Sequence, residues 1–304
     1  MRTEMATGTI VPAPPIGTGG SRLLERPDRQ ERGRLRTDRL IPLVTVLATV
    51  VTIAPLAAIL VFVLIKGLPT LNGQLIANPA GNPTAPGALN AIVGSLQMVP
   101  LALLMGGGLG LLAGIYLSEF AGPRTRQLFG FLVDVLLGVP SIIAGLLVYS
   151  TLVAVNGSSA FAGAVALSVV MFPVMMRATE EVLRLVPNSI REASLALGIS
   201  SWRTVFSVVL RAARAGLLTG TMLAFARGFG ETAPLLFTAK GSDALNIGDL
   251  GSTMSALPLF VYQYSRISDR FFVAQAWSAA IVLLAVVLAI NVAVRARSVN
   301  TRVE

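Results

Sequence analysis

Apolar residues come in long blocks along this chain, separated by short polar stretches. A bilayer crossing takes about 20 predominantly apolar residues, and blocks of that order lie near 41–65, 90–118, 128–153, 160–177, 213–239 and 274–294. The pattern predicts an all-α polytopic membrane protein with six transmembrane helices over a membrane domain, 41–304. The first block, IPLVTVLATVVTIAPLAAILVFVLI, carries Pro55, which a membrane helix tolerates. The fourth block is the shortest. Residues 1–40 are rich in Pro, Gly and Arg without a helical or strand period, and read as a disordered basic cytoplasmic tail. The apolar stretch that follows, about 25 residues, is too long for a signal-peptide core and lacks a small-residue cleavage site.

Charge sets the orientation. Of 24 basic residues, nineteen fall on segments that share a side with the N-terminus; Lys66, Lys240, Arg266 and Arg270 fall on the other side, and Arg227 lies within a span. Basic residues concentrate on the cytoplasmic side, so both termini are expected there. The formal charge of +9 then reports orientation rather than nucleic-acid binding. Two segments on the far side are long, 66–89 and 240–273, and suit either a connector or a docking surface for an external partner. The halves show no convincing internal repeat, so an inverted-repeat secondary carrier is not indicated.

Composition removes several chemistries. The chain is 54% hydrophobic and 13% charged, against about a quarter charged in soluble domains. It holds neither cysteine nor histidine, which excludes disulfides, thiolate metal sites and a histidine general base. No metal site or bound cofactor is expected. A phosphate-cradling loop needs Gly-Lys followed by Ser or Thr; the two lysines follow Ile65 and Ala239, so this chain is expected to be non-catalytic and not to bind ATP through such a loop.

Three features inside the spans stand out. Arg227 and Glu231 lie four residues apart in ARGFGETAPLLF, on one helical face if the helix runs straight. At about 100° per residue they share that face with Gly216, Gly220 and Ala224, while Phe225, Leu218, Phe229 and Met222 face the opposite way. A charge at mid-membrane costs about 2.5–3.5 kcal/mol on insertion scales, so the pair should point into protein or a watery path. It reads either as a structural ion pair or as a pathway in which Arg227 meets an anion and Glu231 holds or releases it. Asp134 is expected to be stabilised by the start of the third span. Gly106, Gly110 and Gly114, at four-residue spacing, form a close-packing face.

Between spans four and five, NSIREASLALGISSWRTVFSVVLRAARAGLLTG (188–220) reads as a short cytoplasmic helix followed by a second that leads into span five. Ser189 and Glu192 have capping-box spacing, Gly198 is a C-terminal stop, and Ser200 or Ser201 can cap the next helix. E-A-S-x-x-x-G at 192–198, then Val208 and Leu210, resembles the EAA loop of ABC-transporter permeases. Ser194 stands where a second Ala is usual, and Arg211 where Pro is usual. GLPTL with its NP-containing loop, LNAIVGSL (89–96), GVPSIIAGLLVY (138–149), RGFGETAPLLFTA (227–239) and LPLFVYQY (257–264) resemble the PstA-type permease family of phosphate-specific transporters.

That resemblance implies a type I ABC permease fold whose coupling loop, about 187–206, docks a partner ATPase through Glu192, Ala193, Ser194 and Gly198. It implies a related (PstC-type) permease as heterodimer partner, two copies of a (PstB-type) ATPase that uses ATP and Mg, and an external (PstS-type) phosphate-binding protein, in the bacterial inner membrane. The alternatives are a permease for another oxyanion such as sulfate or molybdate, a stand-alone channel or carrier, and a membrane-embedded hydrolase.

Overall fold

The computed structural model describes residues 29–300, so most of the expected tail lies outside the described residues. Two compact units divide the chain, residues 1–59 and 60–304. Helix α1, Arg29–Gly67, begins in the first and ends in the second. Residues 29–40, expected as tail, form its opening turns. Arg, Gln, Glu and Leu are good helix formers, and extending a helix already nucleated avoids the initiation cost.

In the second unit the end of α1 is followed by α2 (Gly73–Ala77), α3 (Leu89–Phe120), α4 (Pro123–Gly138) and α5 (Ser141–Asn156). Then come α6 (Ala160–Arg184), α7 (Asn188–Ala196), α8 (Ser201–Gly230), α9 (Ala233–Thr238), α10 (Leu257–Tyr264) and α11 (Arg270–Asn300). Helices α1, α3, α6, α8 and α11 are each long and apolar enough to cross a membrane, and the bent pair α4–α5 makes a sixth when counted as one span. Among the described residues the only β-type pairing is the single Lys240–Met254 bridge.

The third apolar block, expected as a span near 128–153, folds as a bent pair of helices. It begins at Pro123 and turns by 94° between α4 and α5. Val139 is extended (φ −70°, ψ 130°) ahead of Pro140. Proline cannot donate to the preceding turn, and its ring pushes the residue before it out of the helical region.

Helix α6, expected to be the shortest span, is the central post of the bundle and the most buried of them. Both glycine-lined faces meet it. On α3, a Cβ at Gly106 would overlap the Ser168 carbonyl oxygen, one at Gly110 would lie 2.6 Å from the Phe172 oxygen, and one at Gly114 2.6 Å from Thr179 Cβ. On α8, Gly216 abuts Val182, Gly220 abuts Ala178 and Gly228 abuts Met171. Without a hydrophobic drive between helices in lipid, such small residues let backbones approach and gain dispersion contact. Helix α6 continues past residue 177 because its charges are paired: Glu180, almost wholly buried, accepts from Arg177 at 3.2 Å and Arg184 at 2.5 Å. Asp134 lies far from the start of α4 and pairs with Arg177 at 3.7 Å instead of with a helix terminus.

At the end of the bundle opposite α7, the two long segments form an ordered cap. Asn90 accepts from Ala80 N–H (3.1 Å) and donates to the Ser242 carbonyl (2.6 Å). Gln97 accepts from Gly248 N–H and donates to the Asn246 carbonyl. Ser95 Oγ accepts from Leu257 N–H at 2.8 Å, and Tyr264 donates to Asp243 at 3.0 Å. Burial, then the nearby Asp243, raises the Tyr264 pKa well above the usual phenol value, so the hydroxyl remains a donor. These segments are therefore ordered against the bundle. Polar Asn90, Ser95 and Gln97 in an otherwise apolar block were the sequence signal for it.

Candidate functional site

The first site is built around Arg227. Helix α8 ends at Gly230, and Glu231 is extended (φ −77°, ψ 125°), so the straight helix expected over 213–239 stops between the two charges. They still meet: Arg227 Nη2 lies 3.4 Å from Glu231 Oε1. The shared small face packs on α6 as described, but Phe225 and Phe229 do not face lipid. Both are buried in the main core. The face opposite the glycines is covered as well, by residues of α3 and α11 in the same core, which a wheel drawn on an isolated helix cannot show.

A Cβ on the neighbouring Gly228 would lie 2.5 Å from Met171 Sδ, and Met171 is near the midpoint of α6. Arg227 is thus at mid-depth. It lines an apolar crevice with Leu137, Val139 and Pro140 of the α4–α5 bend and Val170 and Pro173 of α6. Two of the sequence blocks singled out above meet here. Gly145 of GVPSIIAGLLVY sits against Pro234 of RGFGETAPLLFTA, where a Cβ would fall 2.7 Å from the proline Cα.

Arg227 differs from the structural arginines. Among the described residues its one partner is Glu231, at 3.4 Å, and its side chain is 42% exposed. Arg126 donates to two carbonyls, Leu117 and Ser118, and Arg177 meets three carboxylates. A guanidinium has five N–H donors in a planar fork suited to oxyanions. Most of those on Arg227 are unspent.

The second site is α7. Its N-cap is Pro187, without a side-chain cap, so the capping box expected from Ser189 and Glu192 does not form. Proline at the entry pre-sets the backbone, and Glu192 is left exposed and free of side-chain partners among the described residues. Ser200 precedes α8 but makes no cap bond either. Gly198 does stop the helix, at φ +77°, with its N–H donating to the Leu195 carbonyl at 2.9 Å. Ala193, Leu195, Leu197 and Trp202 are exposed beside Glu192, so α7 presents an apolar ridge with one acid. Ser194 faces the other way. It is buried and shares a hydrogen bond with Thr204 Oγ1 at 2.9 Å, holding α7 to α8. Arg211 lies within α8, which runs unbroken there.

Sequence reading missed the residues that fasten α7. Arg191 makes a bidentate pair with Glu119 at the end of α3 (2.6 and 3.0 Å) and donates to the Val186 and Leu183 carbonyls. The hydrogen bond to Glu119 raises the Arg191 pKa, against partial burial and with help from the Glu119 charge. The available signals were an acid, Glu119, closing an apolar span, and a basic residue, Arg191, beside Glu192 in the short helix.

Comparisons with known proteins agree with this architecture. Residues 106–300 match the family described as "Binding-protein-dependent transport system inner membrane component". Solved relatives by fold include a chain of the inward-facing MetNI methionine ABC transporter, with TM-score 0.57 and 21% identity, covering 69% of this chain and 94% of that one. An amino acid ABC transporter chain gives TM-score 0.54 at 16% identity, covering 70% and 92%. The chain is therefore a non-catalytic inner-membrane permease subunit of the ABC-transporter class, with a type I permease fold.

Within that class it belongs to the PstA family. It is 39% identical to the phosphate transport system permease protein PstA of Pasteurella multocida over 240 residues, 78% of this chain and 85% of that protein. It is 41% identical to the Haemophilus influenzae PstA over 241 residues, with 78% and 85% covered. PstA 1 of Mycobacterium tuberculosis is 41% identical over 211 residues, 69% of each chain.

Proposed function

We propose that this chain forms half of the membrane pathway of an ATP-driven phosphate importer and couples it to a partner ATPase. The observation that carries the reading is the under-satisfied Arg227 at mid-depth, loosely paired and open on one side of the chain. Its exposed flank faces the pathway shared with a related (PstC-type) permease. Phosphate oxygens match the guanidinium fork, which stays charged at any relevant pH. Glu231 takes the arginine back when the anion leaves, which keeps the site from trapping phosphate. Both termini lie in the cytoplasm, so α7 reaches the (PstB-type) ATPase pair and the ordered cap meets an external (PstS-type) phosphate-binding protein. ATP and Mg belong to the ATPase, and this chain binds no cofactor of its own.

Labelled phosphate uptake in cells with and without this chain, challenged with excess unlabelled sulfate, tests the substrate. Uptake should vanish on deletion and ignore sulfate. Unchanged uptake, in cells without a redundant importer, would move the assignment to another oxyanion with the same architecture.

The docking role rests on the exposed ridge of α7. Glu192→Lys reverses the one acid on that ridge without touching the bundle. It is expected to leave the membrane complex assembled while phosphate transported per ATP hydrolysed drops by about tenfold, the size of a typical coupling energy. Normal coupling in that variant would remove Glu192 from the docking surface.

A further inference from the structure

We propose that the Glu119–Arg191 pair is the clamp through which α7 moves the α4–α5 bend beside Arg227, so that both are positioning residues for coupled transport. The inference deepens the proposed function and rests on it.

Glu119 is 5% exposed and Arg191 20%. One guanidinium from α7 holds both oxygens of a carboxylate on α3 and two carbonyls, Leu183 and Val186, at the end of α6. Around it Ile115, Leu183, Val186, Val205 and Val209 form a small apolar core. Planar bidentate pairs fix orientation as well as distance, so α7 and the ends of α3 and α6 move together.

The chain of contacts continues. Arg126, in the first turn of α4, donates from Nε to the Leu117 carbonyl (2.9 Å) and from Nη2 to the Ser118 carbonyl (2.8 Å), the two residues before Glu119. Ser118 Oγ also donates to Glu119 Oε1. Helix α4 ends in the 94° bend, whose Val139 and Pro140 form one wall of the Arg227 crevice. Arg227 itself is carried by α8, which α7 reaches through the Ser194–Thr204 hydrogen bond. A displacement of α7 thus arrives at the bend by an ionic route, and at Arg227 through the Ser194–Thr204 hydrogen bond and the apolar core that Ile190 shares with Val205 and Val209. Both routes pass a π-helical turn, Tyr116–Phe120 and Thr204–Val209, a geometry that recurs at functional positions in helices. Coupling between distant sites requires an element with two arrangements that both sites bias; the bend is that element.

The test uses the complete transporter in proteoliposomes, with labelled phosphate transported and ATP hydrolysed measured together. Glu119→Gln removes the charge, and Glu119→Asp keeps it but shortens its reach. In Glu119→Gln the complex should copurify in full and hydrolysis persist, while phosphate per ATP falls about tenfold; Glu119→Asp should fall between that and wild type. An unchanged ratio in both variants would overturn the clamp, as would transport and hydrolysis declining together in proportion to assembled complex. Should Glu119→Gln not assemble, the ratio in Glu119→Asp decides alone. The wild-type arm reports on the parent reading: ATP-driven uptake of an anion other than phosphate overturns the substrate, and the clamp is then judged by the same ratio for that anion.

Discussion

Arg227→Ala is expected to lower phosphate uptake about a hundredfold while the permease complex still assembles. A hydrogen bond to a charged group contributes about 1.5–3 kcal/mol net, and about 1.4 kcal/mol is a factor of ten. Losing the fork that meets the anion in an apolar crevice removes at least the upper end of that range. The variant should fold because Arg227 holds nothing else in place: its contact to Glu231 is 3.4 Å and its flank is open. Arg227→Lys keeps the charge but offers a compact point donor instead of a planar fork, and should restore only part of the uptake. Copurification of the complex together with labelled uptake checks both variants. If the complex disappears along with uptake, the pair is structural and the pathway runs elsewhere.

Gly106→Val should have the opposite signature, loss of the folded permease itself. A Cβ there would overlap the Ser168 carbonyl oxygen on α6, and backbone cannot swing away as a long side chain can. Overpacking a tight contact costs about 1–3 kcal/mol and occasionally more; a backbone clash on the central helix belongs at the upper end. The expected result is a chain that fails to accumulate in the membrane, measured by immunoblot and by thermal stability of the purified complex. Gly108→Val, two residues away with open space at its Cβ, should accumulate normally. Equal accumulation of the two variants would show that α3 can shift along α6.

Much of the membrane architecture was legible in the sequence, and the reasons are physical. Lipid offers no partner to a free backbone group, so blocks of apolar residues had to become helices, and the strict spacing of Gly106, Gly110 and Gly114 had to mark a close contact. Gly198 announced a helix stop because few other residues accept φ +77°. The reading failed where local rules met a competing one. Ser189 and Glu192 satisfied a capping pattern, but Pro187 entered the helix first. Asp134 suited a helix start, but Arg177 from another helix claimed it.

The sequence by itself determined the membrane class, the apolar blocks that form the candidate crossings, the residues that bring charge into them and the short helix between the fourth and fifth blocks. These follow from composition and spacing, which are local and periodic. Only the tertiary structure decided that the third span bends beside Arg227, that Phe225 and Phe229 are core, that the cap is ordered by Asn90, Ser95 and Gln97, and that Arg191 fastens α7 to Glu119. Each depends on partners distant in the chain, from Ser95 and Leu257 to Glu119 and Arg191. Spacing along one helix reports which face a residue is on; the neighbouring helix decides what that face is for.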